Sequence, residues 1–487
     1  MRPMMRFLSD DLIEKIISEA KTLLAEIGVE VQNPKALDLL DGGGARIDRD
    51  TNRAYIGDDL ISKTLATAPN RLGLYDVSGE LAVDLYEYNT HFTPGSAAIY
   101  ILDHDASESR KPNTTDYVRF AKLMQSMEFI ESQATAMIPS DVHEKISDSY
   151  RLYLSLLFCD KPVVTGTFTI EAFEIMKDLQ LAVRGSKESL AEKPLTMFSC
   201  CPTSPLKWSD VTSQNVIDCA EYKIPVEFIA MPLTGFMAPV TLVGTIVQHA
   251  AETLSGVVIS QLANPGAPVV WGGSPAIFDI RYETTPMGAV GTMMVDCAYN
   301  EVGKHLSLPT QAYIGLSDAK HLDAQAGHES SMGATLATLS GINNVSGPGM
   351  LDFESCFSLE KLVVDNEICR SCKRIARGIE PREDFPSLPH FEELLSEGHL
   401  LIADHTRKYL KDEIVFPGEV IDRANRSRWK AEGSTTLMQR AHTEVEKLVA
   451  EAGVSSLPEE TRREFARLMT EEAGKYGMDK LPDIEHA

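Results

Sequence analysis

The reactive residue types of this 487-residue chain stand singly, without the spacings that mark a metal or nucleophile site. Twelve histidines are scattered with no close pair at ligand spacing, and His321 and His328 are seven apart, two turns along one helical face. HExxH, GxSxG, GxxxxGKS/T and a GxGxxG between strand and helix are all missing. Of the eight cysteines, Cys200 and Cys201 are adjacent and cannot easily bridge, and Cys369 and Cys372 form a CxxC with no second pair to complete a zinc site. Reduced, buried thiols are the expected state, although the Cys200-Cys201-Pro202 turn could supply a thiolate. Asp318 and Asp323 have the placement of helix caps rather than of ligands. Lys207 and Lys320 are the lysines nearest a strand's carboxyl end, yet both fall in the approach to a helix, which disfavours a Schiff-base lyase or aldolase. No resident metal is expected.

The elements that would hold working groups alternate along the chain. Strand candidates at 130–137, 162–167, 195–200, 225–230, 268–271, 310–315 and 343–346 are separated by helix candidates at 144–157, 170–183, 209–222, 240–262, 289–305, 324–340 and 359–377. A further helix runs from Thr114 to about 127, opened by Thr114-Thr115-Asp116. Short strands alternating with helices predict a parallel sheet. With no phosphate-binding fingerprint after an early strand, an α/β fold of the (β/α)8 TIM type is favoured over a doubly wound sheet. Seven units are visible, and the eighth strand is expected either near 400–403 or just before Thr114. The expected division is an N-terminal helix and small α+β extension over 1–112, the catalytic barrel over 113–404, and a C-terminal helical extension over 405–487. Trp429 is expected to dock the first tail helix onto the body.

In such a barrel the working positions follow the strands. They read PSD at 139–141, GTF at 166–168, SCCP at 199–202, MP at 231–232, GGS at 272–274, GLSD at 315–318 and SGPG at 346–349. Small residues and hydroxyls leave room for a bulky planar ligand against backbone N–H groups, with a plain tight turn as the alternative for 346–349.

Charge narrows the ligand class. The chain carries 46 Lys and Arg against 71 Asp and Glu, a formal −25, with a pI near 4.9. That balance argues against nucleic acid, whose binding needs a basic face, and favours cationic ligands. No run of 18 apolar residues suggests a membrane span, and MRPMMRFLSDDLIEK lacks the apolar core of a signal peptide. A cytoplasmic location, no membrane partner and a homo-oligomer are expected.

Several stretches together resemble the trimethylamine methyltransferase (MttB-like) family. They are GLSDAKHLDAQAGHES at 315–330, LSGINNVSGPGMLDFESCFSLEKLVVDNEICR at 339–370, LAEIGVEV in the first helix, FTPG at 92–95, HTRKYL at 405–410 and the region of Trp429. The resemblance runs over roughly 8 to 450 and rests on order and spacing rather than on one signature. It implies a barrel that demethylates a methylated amine and passes the methyl to a corrinoid protein. The founding members carry pyrrolysine, whereas this chain shows only standard residues and is similar to the branch that acts on quaternary amines. Glycine betaine is the favoured substrate, with proline betaine, carnitine or a non-catalytic betaine-binding role as alternatives. A tertiary amine leaves as a neutral molecule, so no acid–base pair is required. The resemblance implies no tightly bound cofactor, the corrinoid arriving on its cognate protein. For a cation cage the candidates are Phe168, Trp271 and Tyr313. A substrate carboxylate could be held by Arg281, Gln311, Ser199 or Ser274, and Ser346, Gly347 and Gly349 are the expected corrinoid-facing surface. Asp318, Gln325 and Glu329 lie in the segment that carries the resemblance, where acidic residues could add negative potential and where helix capping and inter-helix hydrogen bonding explain them as well.

Overall fold

The computed structural model describes residues 1–484. Its centre is a ring of eight parallel strands: β1 (His91–Thr93), β2 (Gln133–Ala134), β3 (Val163–Thr165), β4 (Thr196–Cys200), β5 (Val226–Ala230), β6 (Val269–Gly273), β7 (Gln311–Tyr313) and β8 (Asn344–Ser346). Strands β2 to β6 pair in sequence order, with Phe198 opposite both Thr165 and Val226. Trp271 N–H donates to Pro309 O at 2.8 Å and carries the ring from β6 to β7. Val345 stands between Ala312 and Phe92, which joins β7, β8 and β1. Glu131 N–H on Phe92 O at 3.1 Å, with the Ala98–Met137 bridge, closes the ring back onto β2. The chain is therefore a TIM-type barrel.

Each strand is followed by its helix: α1 (Thr114–Gln125), α2 (Ser147–Phe158), α3 (Ala172–Arg184), α4 (Asp210–Tyr222), α5 (Leu242–Ala263), α6 (Val290–His305), α7 (Ala324–Ser340) and α8 (Leu359–Arg377). Side-chain caps fix many of the starts. Asn113 and Asp116 form a capping box on α1, and Ser209, Thr241, Asp323 and Ser358 cap α4, α5, α7 and α8. Asp323 caps as expected, whereas Asp318 accepts the N–H groups of Met287 and Gly288 at 3.0 and 2.8 Å and holds the β6–α6 loop instead. Helix α5 is long and apolar enough to cross a membrane, but 78% of its apolar window is buried between barrel and N-terminal helices.

The missing eighth strand is β1, before Thr114, while 400–403 is a turn leading into a tail helix. Residues 91–93 thus belong to the barrel, upstream of a division at 112. The hairpin Leu72–Tyr75 with Leu81–Leu85 plugs the amino-terminal end of the ring, packing Leu72, Leu74, Val83 and Leu85 on Ala134, Val164, Met197 and Val270. This leaves the carboxyl-terminal end as the open one. The tail helices Leu437–Glu451 and Glu459–Lys475 pack through Ala441, Val445, Phe465 and Met469. Trp429 instead closes the turn before them, its indole N–H donating to Thr435 O at 3.1 Å.

Candidate functional site

A cavity of about 410 Å³ opens at the carboxyl-terminal end of the ring, within the size range of small-molecule sites. Its wall is built from consecutive strand ends. Thr165 ends β3 and Gly166 to Phe168 follow it, Ser199 is the penultimate residue of β4, Tyr313 ends β7, Ser96 comes from the β1 loop, Glu354 from the β8 loop, and Arg151 from α2.

Two carboxyl groups dominate its electrostatics. Glu227 is the one charged residue of the buried strand VEFIA. Ser199 Oγ donates to its Oε1 at 2.7 Å and Asn344 Nδ2 to its Oε2 at 3.4 Å, directly beneath the cavity. Burial pushes its pKa up to about 7 against the pull of those two hydrogen bonds. Glu354 sits on the wall, raised to about 8 by burial, with the Ser96 N–H opposing and Glu227 adding to the rise. Its Oε1 is shielded from solvent and has no hydrogen-bond partner. Among the described residues neither carboxyl has a Lys or Arg ion-pair partner. Three consecutive left-handed residues, Asp352, Phe353 and Glu354 at φ 50°, 55° and 68°, turn the β8 loop, a conformation costly outside glycine.

The same lining carries one cationic group, and its charge is balanced. Arg151 is buried, donating to Asp148 Oδ1 at 2.7 Å, Thr135 O at 3.0 Å and Ser147 O at 3.3 Å. Asp148 Oδ2 in turn accepts the Phe168 N–H at 2.6 Å, and the guanidinium lies 5.2 Å from the Phe168 ring. Tyr313 OH is 3.0 Å from Ser96 Oγ, and Thr167 Oγ1 is a second buried polar atom without a partner. Burial raises the Cys201 thiol to about 12 and lifts Cys200 well above its ordinary range, so neither supplies a thiolate. Lys207 pairs with Glu30 and Lys320 with Asp352, and neither lines the cavity.

Four of the expected residues meet here: Phe168 at the rim, 58% exposed, Tyr313 on the wall, and Ser199 and Ser274 among the lining. The others do not. Along β6, Val270 faces the hairpin plug and Gly272 the Gln311 amide, so the two-residue alternation turns Trp271 outward. There its indole N–H donates to Tyr299 O at 3.0 Å, between α5 and α6. Gln311 does point inward, but its amide is consumed by Gly273 N–H at 3.1 Å and Ser346 Oγ at 3.2 Å. Arg281 lies on the surface, 75% exposed and paired with Asp279. Ser346, Gly347 and Gly349 are buried rather than presented to a partner. A Cβ on Gly347 would meet Leu316 N at 2.9 Å, and Gly349 N–H donates to Asp365 Oδ2 at 2.7 Å, so this turn locks the loop that carries Glu354. Glu329 accepts Ser317 Oγ and Asp318 N–H, away from the cavity, and Gln325 donates to it. Glu227, Glu354 and Arg151 were not singled out from the sequence. An acid inside an otherwise apolar strand was the one available signal, for Glu227.

The family model described as trimethylamine methyltransferase (MTTB) matches residues 1–474. The trimethylamine methyltransferase MttB of Desulfitobacterium hafniense (strain DSM 10664 / DCB-2) is 27% identical over 470 residues, 96% of this chain and 94% of that protein. MttB of Methanosarcina barkeri (strain Fusaro / DSM 804) is 30% identical over 454 residues, 90% and 89% of the two chains. The glycine betaine methyltransferase of Desulfitobacterium hafniense (strain Y51) is 29% identical over 450 residues, 92% and 93% of the two. The crystal structure of the Methanosarcina barkeri monomethylamine methyltransferase (MtmB) shares the fold, with a TM-score of 0.52 at 12% identity over 92% of this chain and 89% of that one.

Proposed function

The chain belongs to the trimethylamine methyltransferase family, and from that premise we propose that it moves a methyl group from a quaternary amine, glycine betaine first, to the Co(I) of a separate corrinoid protein. The observation that carries the reading is the pair of carboxyl groups, Glu354 on the cavity wall and Glu227 beneath its floor, buried without a cationic partner. A fixed ammonium charge supplies the missing counter-charge and favours ionisation of both. Tyr313 and Phe168 present aromatic surface to the same cavity, each cation–π contact contributing about 0.5–2 kcal/mol.

A betaine also carries a carboxylate. Of the five N–H donors of a guanidinium, the named bonds of Arg151 use three, which leaves two for an anionic group in the cavity. A lining that offers both acidic and basic groups is why a zwitterion is preferred over trimethylamine. Glu354 and Glu227 hold the nitrogen and Arg151 the carboxylate, so that one methyl points to the open end, and the plugged base of the barrel keeps bulk water from below.

Co(I) supplies the nucleophile when the partner docks. Methyl departure leaves its bonding pair on nitrogen, giving the dimethylglycine anion with an uncharged tertiary amine, so no proton donor is needed at the amine. The high thiol pKa of Cys201 and the absence of a lysine in the lining fit that requirement. The partner's docking face fits the rim beyond the strands, where Phe236, Val240, Ile280, Tyr282 and Val290 are all more than half exposed.

The test is methyl transfer from glycine betaine, proline betaine, carnitine and trimethylamine, offered separately with a purified Co(I) corrinoid protein from the same source. Methyl-Co(III) is followed by absorbance. Methylation with glycine betaine and not with trimethylamine is expected. Turnover of trimethylamine alone overturns the quaternary-amine reading.

A further inference from the structure

Three donors that are far apart in the chain meet on the barrel rim, outside the cavity. His104 lies in the loop after β1, Glu360 in the first turn of α8, and His442 on the tail helix Leu437–Glu451. One ligand atom from each lies within 4.8 Å of the other two. His442 Nδ1 is 2.9 Å from Glu360 Oε1, and the two imidazoles stack with centroids 3.8 Å apart and planes 6° from parallel. Glu360 is buried, and among the described residues no Lys or Arg pairs with it.

The environment of His104 is that of a ligand. Its Nε2 lies 3.1 Å from Asp105 Oδ2, a close contact outside hydrogen-bond alignment. Nδ1 is shielded from solvent and has no hydrogen-bond partner. A carboxylate beside the far nitrogen is a common companion of a metal-bound imidazole. The cations nearby are occupied elsewhere, Arg110 by Asp103 and Asp116 and Arg119 by Glu446.

We propose that His104, Glu360 and His442 bind a zinc-class divalent ion that clips the C-terminal tail to the barrel rim. Two imidazole nitrogens and one carboxylate oxygen are a zinc donor set, with water as the fourth ligand, whereas Mg²⁺ and Ca²⁺ demand more oxygens. A tetrahedron with bonds of about 2.0–2.1 Å has edges of about 3.3 Å. The Nδ1–Oε1 contact of 2.9 Å therefore needs to open by a few tenths of an ångström, and one imidazole must rotate out of the parallel stack so that both ring planes meet at the ion. Both ligand-bearing helices are fixed at their starts, α8 by Ser358 and the tail helix by the Thr436–Gln439 capping box. The clip closes the long excursion from 378 to 436, whose helices Leu388–Glu397 and Asp404–Glu413 bury no residue of their own.

The test uses the full chain, stripped by chelator and titrated calorimetrically with Zn²⁺, beside His442→Gln and His104→Gln. One ion per chain is expected, bound at least about tenfold more weakly by each variant. Circular dichroism checks that each variant is folded, and Glu360→Gln, which keeps the side-chain shape, reports on the third ligand if a histidine variant is not. A second readout is tryptic release of the tail, slowed by Zn²⁺ in the wild type only. No stoichiometric uptake by the wild type, or unchanged uptake by the double histidine variant, overturns the proposal. Neither result depends on the methyl donor.

Discussion

Glu354→Gln isolates the electrostatic part of substrate recognition. The substitution keeps the shape of a wall residue and removes the charge that a quaternary ammonium is proposed to meet. At an effective dielectric of about 20 and a separation of about 5 Å, the attraction amounts to about 3.3 kcal/mol. The free protein holds this carboxyl protonated at neutral pH, because its pKa is raised to about 8. Ionising it at pH 7 costs about 1.4 kcal/mol, so the net contribution is about 2 kcal/mol, or about 25-fold in Kd. At pH 9 that cost has vanished and the expected loss approaches about 200-fold. The sign follows from the shift: cation binding favours the deprotonated carboxyl, so wild-type affinity rises with pH through 7 to 8 and falls below it. Calorimetric titration with glycine betaine at pH 7 and pH 9, in buffers of different ionisation enthalpy, measures both affinity and proton release. About 1.4 protons released per ligand at pH 7 are expected for the wild type, about 0.9 from Glu354 and about 0.5 from Glu227, and about half a proton for the variant. Equal affinity of the two proteins at pH 9, or no proton release, would refute the carboxylate as the cation's anchor.

Other expectations follow from the same geometry. Choline, which has the ammonium but no carboxylate, should bind at least about tenfold more weakly than glycine betaine, since Arg151 loses a charge-assisted hydrogen bond; equal Kd values would remove Arg151 from recognition. Glu227 has a folded pKa of about 7, above its unfolded value, so its protonated form stabilises the fold below pH 4.5 and this is lost as pH rises to 7. Glu227→Gln should therefore reduce the fall in unfolding free energy between pH 5 and pH 8 by up to about 3 kcal/mol, read by denaturant titration. Trp271→Ala should destabilise the chain by about 3–5 kcal/mol through the void it opens, whereas Phe168→Ala at the rim should cost less than about 1 kcal/mol in stability while raising KM. A Trp271 variant with intact stability and lost substrate affinity would reverse the assignment of these two aromatics.

The barrel class was legible from sequence because it depends on local order. Buried parallel strands read as short apolar runs, amphipathic helices carry their own caps such as Ser209, Asp323 and Ser358, and seven of the eight units show both signals. The strand that closes the ring has three residues, His91 to Thr93, and nothing local distinguishes it from the short strands of the N-terminal layer. Only its pairing with β8 and its contact with β2 make it part of the barrel. The excess of acid in the composition agreed with a cationic ligand, yet which acids matter was a tertiary decision. Glu227 and Glu354 stand more than a hundred residues apart and converge because strand ends and loops share one open face. Trp271 and Ser199 each sit near a strand end, and the direction of the alternating side chains sends one outward and the other inward. The His104, Glu360 and His442 cluster could not be seen in the sequence for the same reason, since ligand spacing along a chain records only sites that one local element can build. A backbone's hydrogen bonds and short-range packing are written in neighbouring residues, but a site made where several strands end depends on ring closure and side-chain direction, which exist only after the chain has folded.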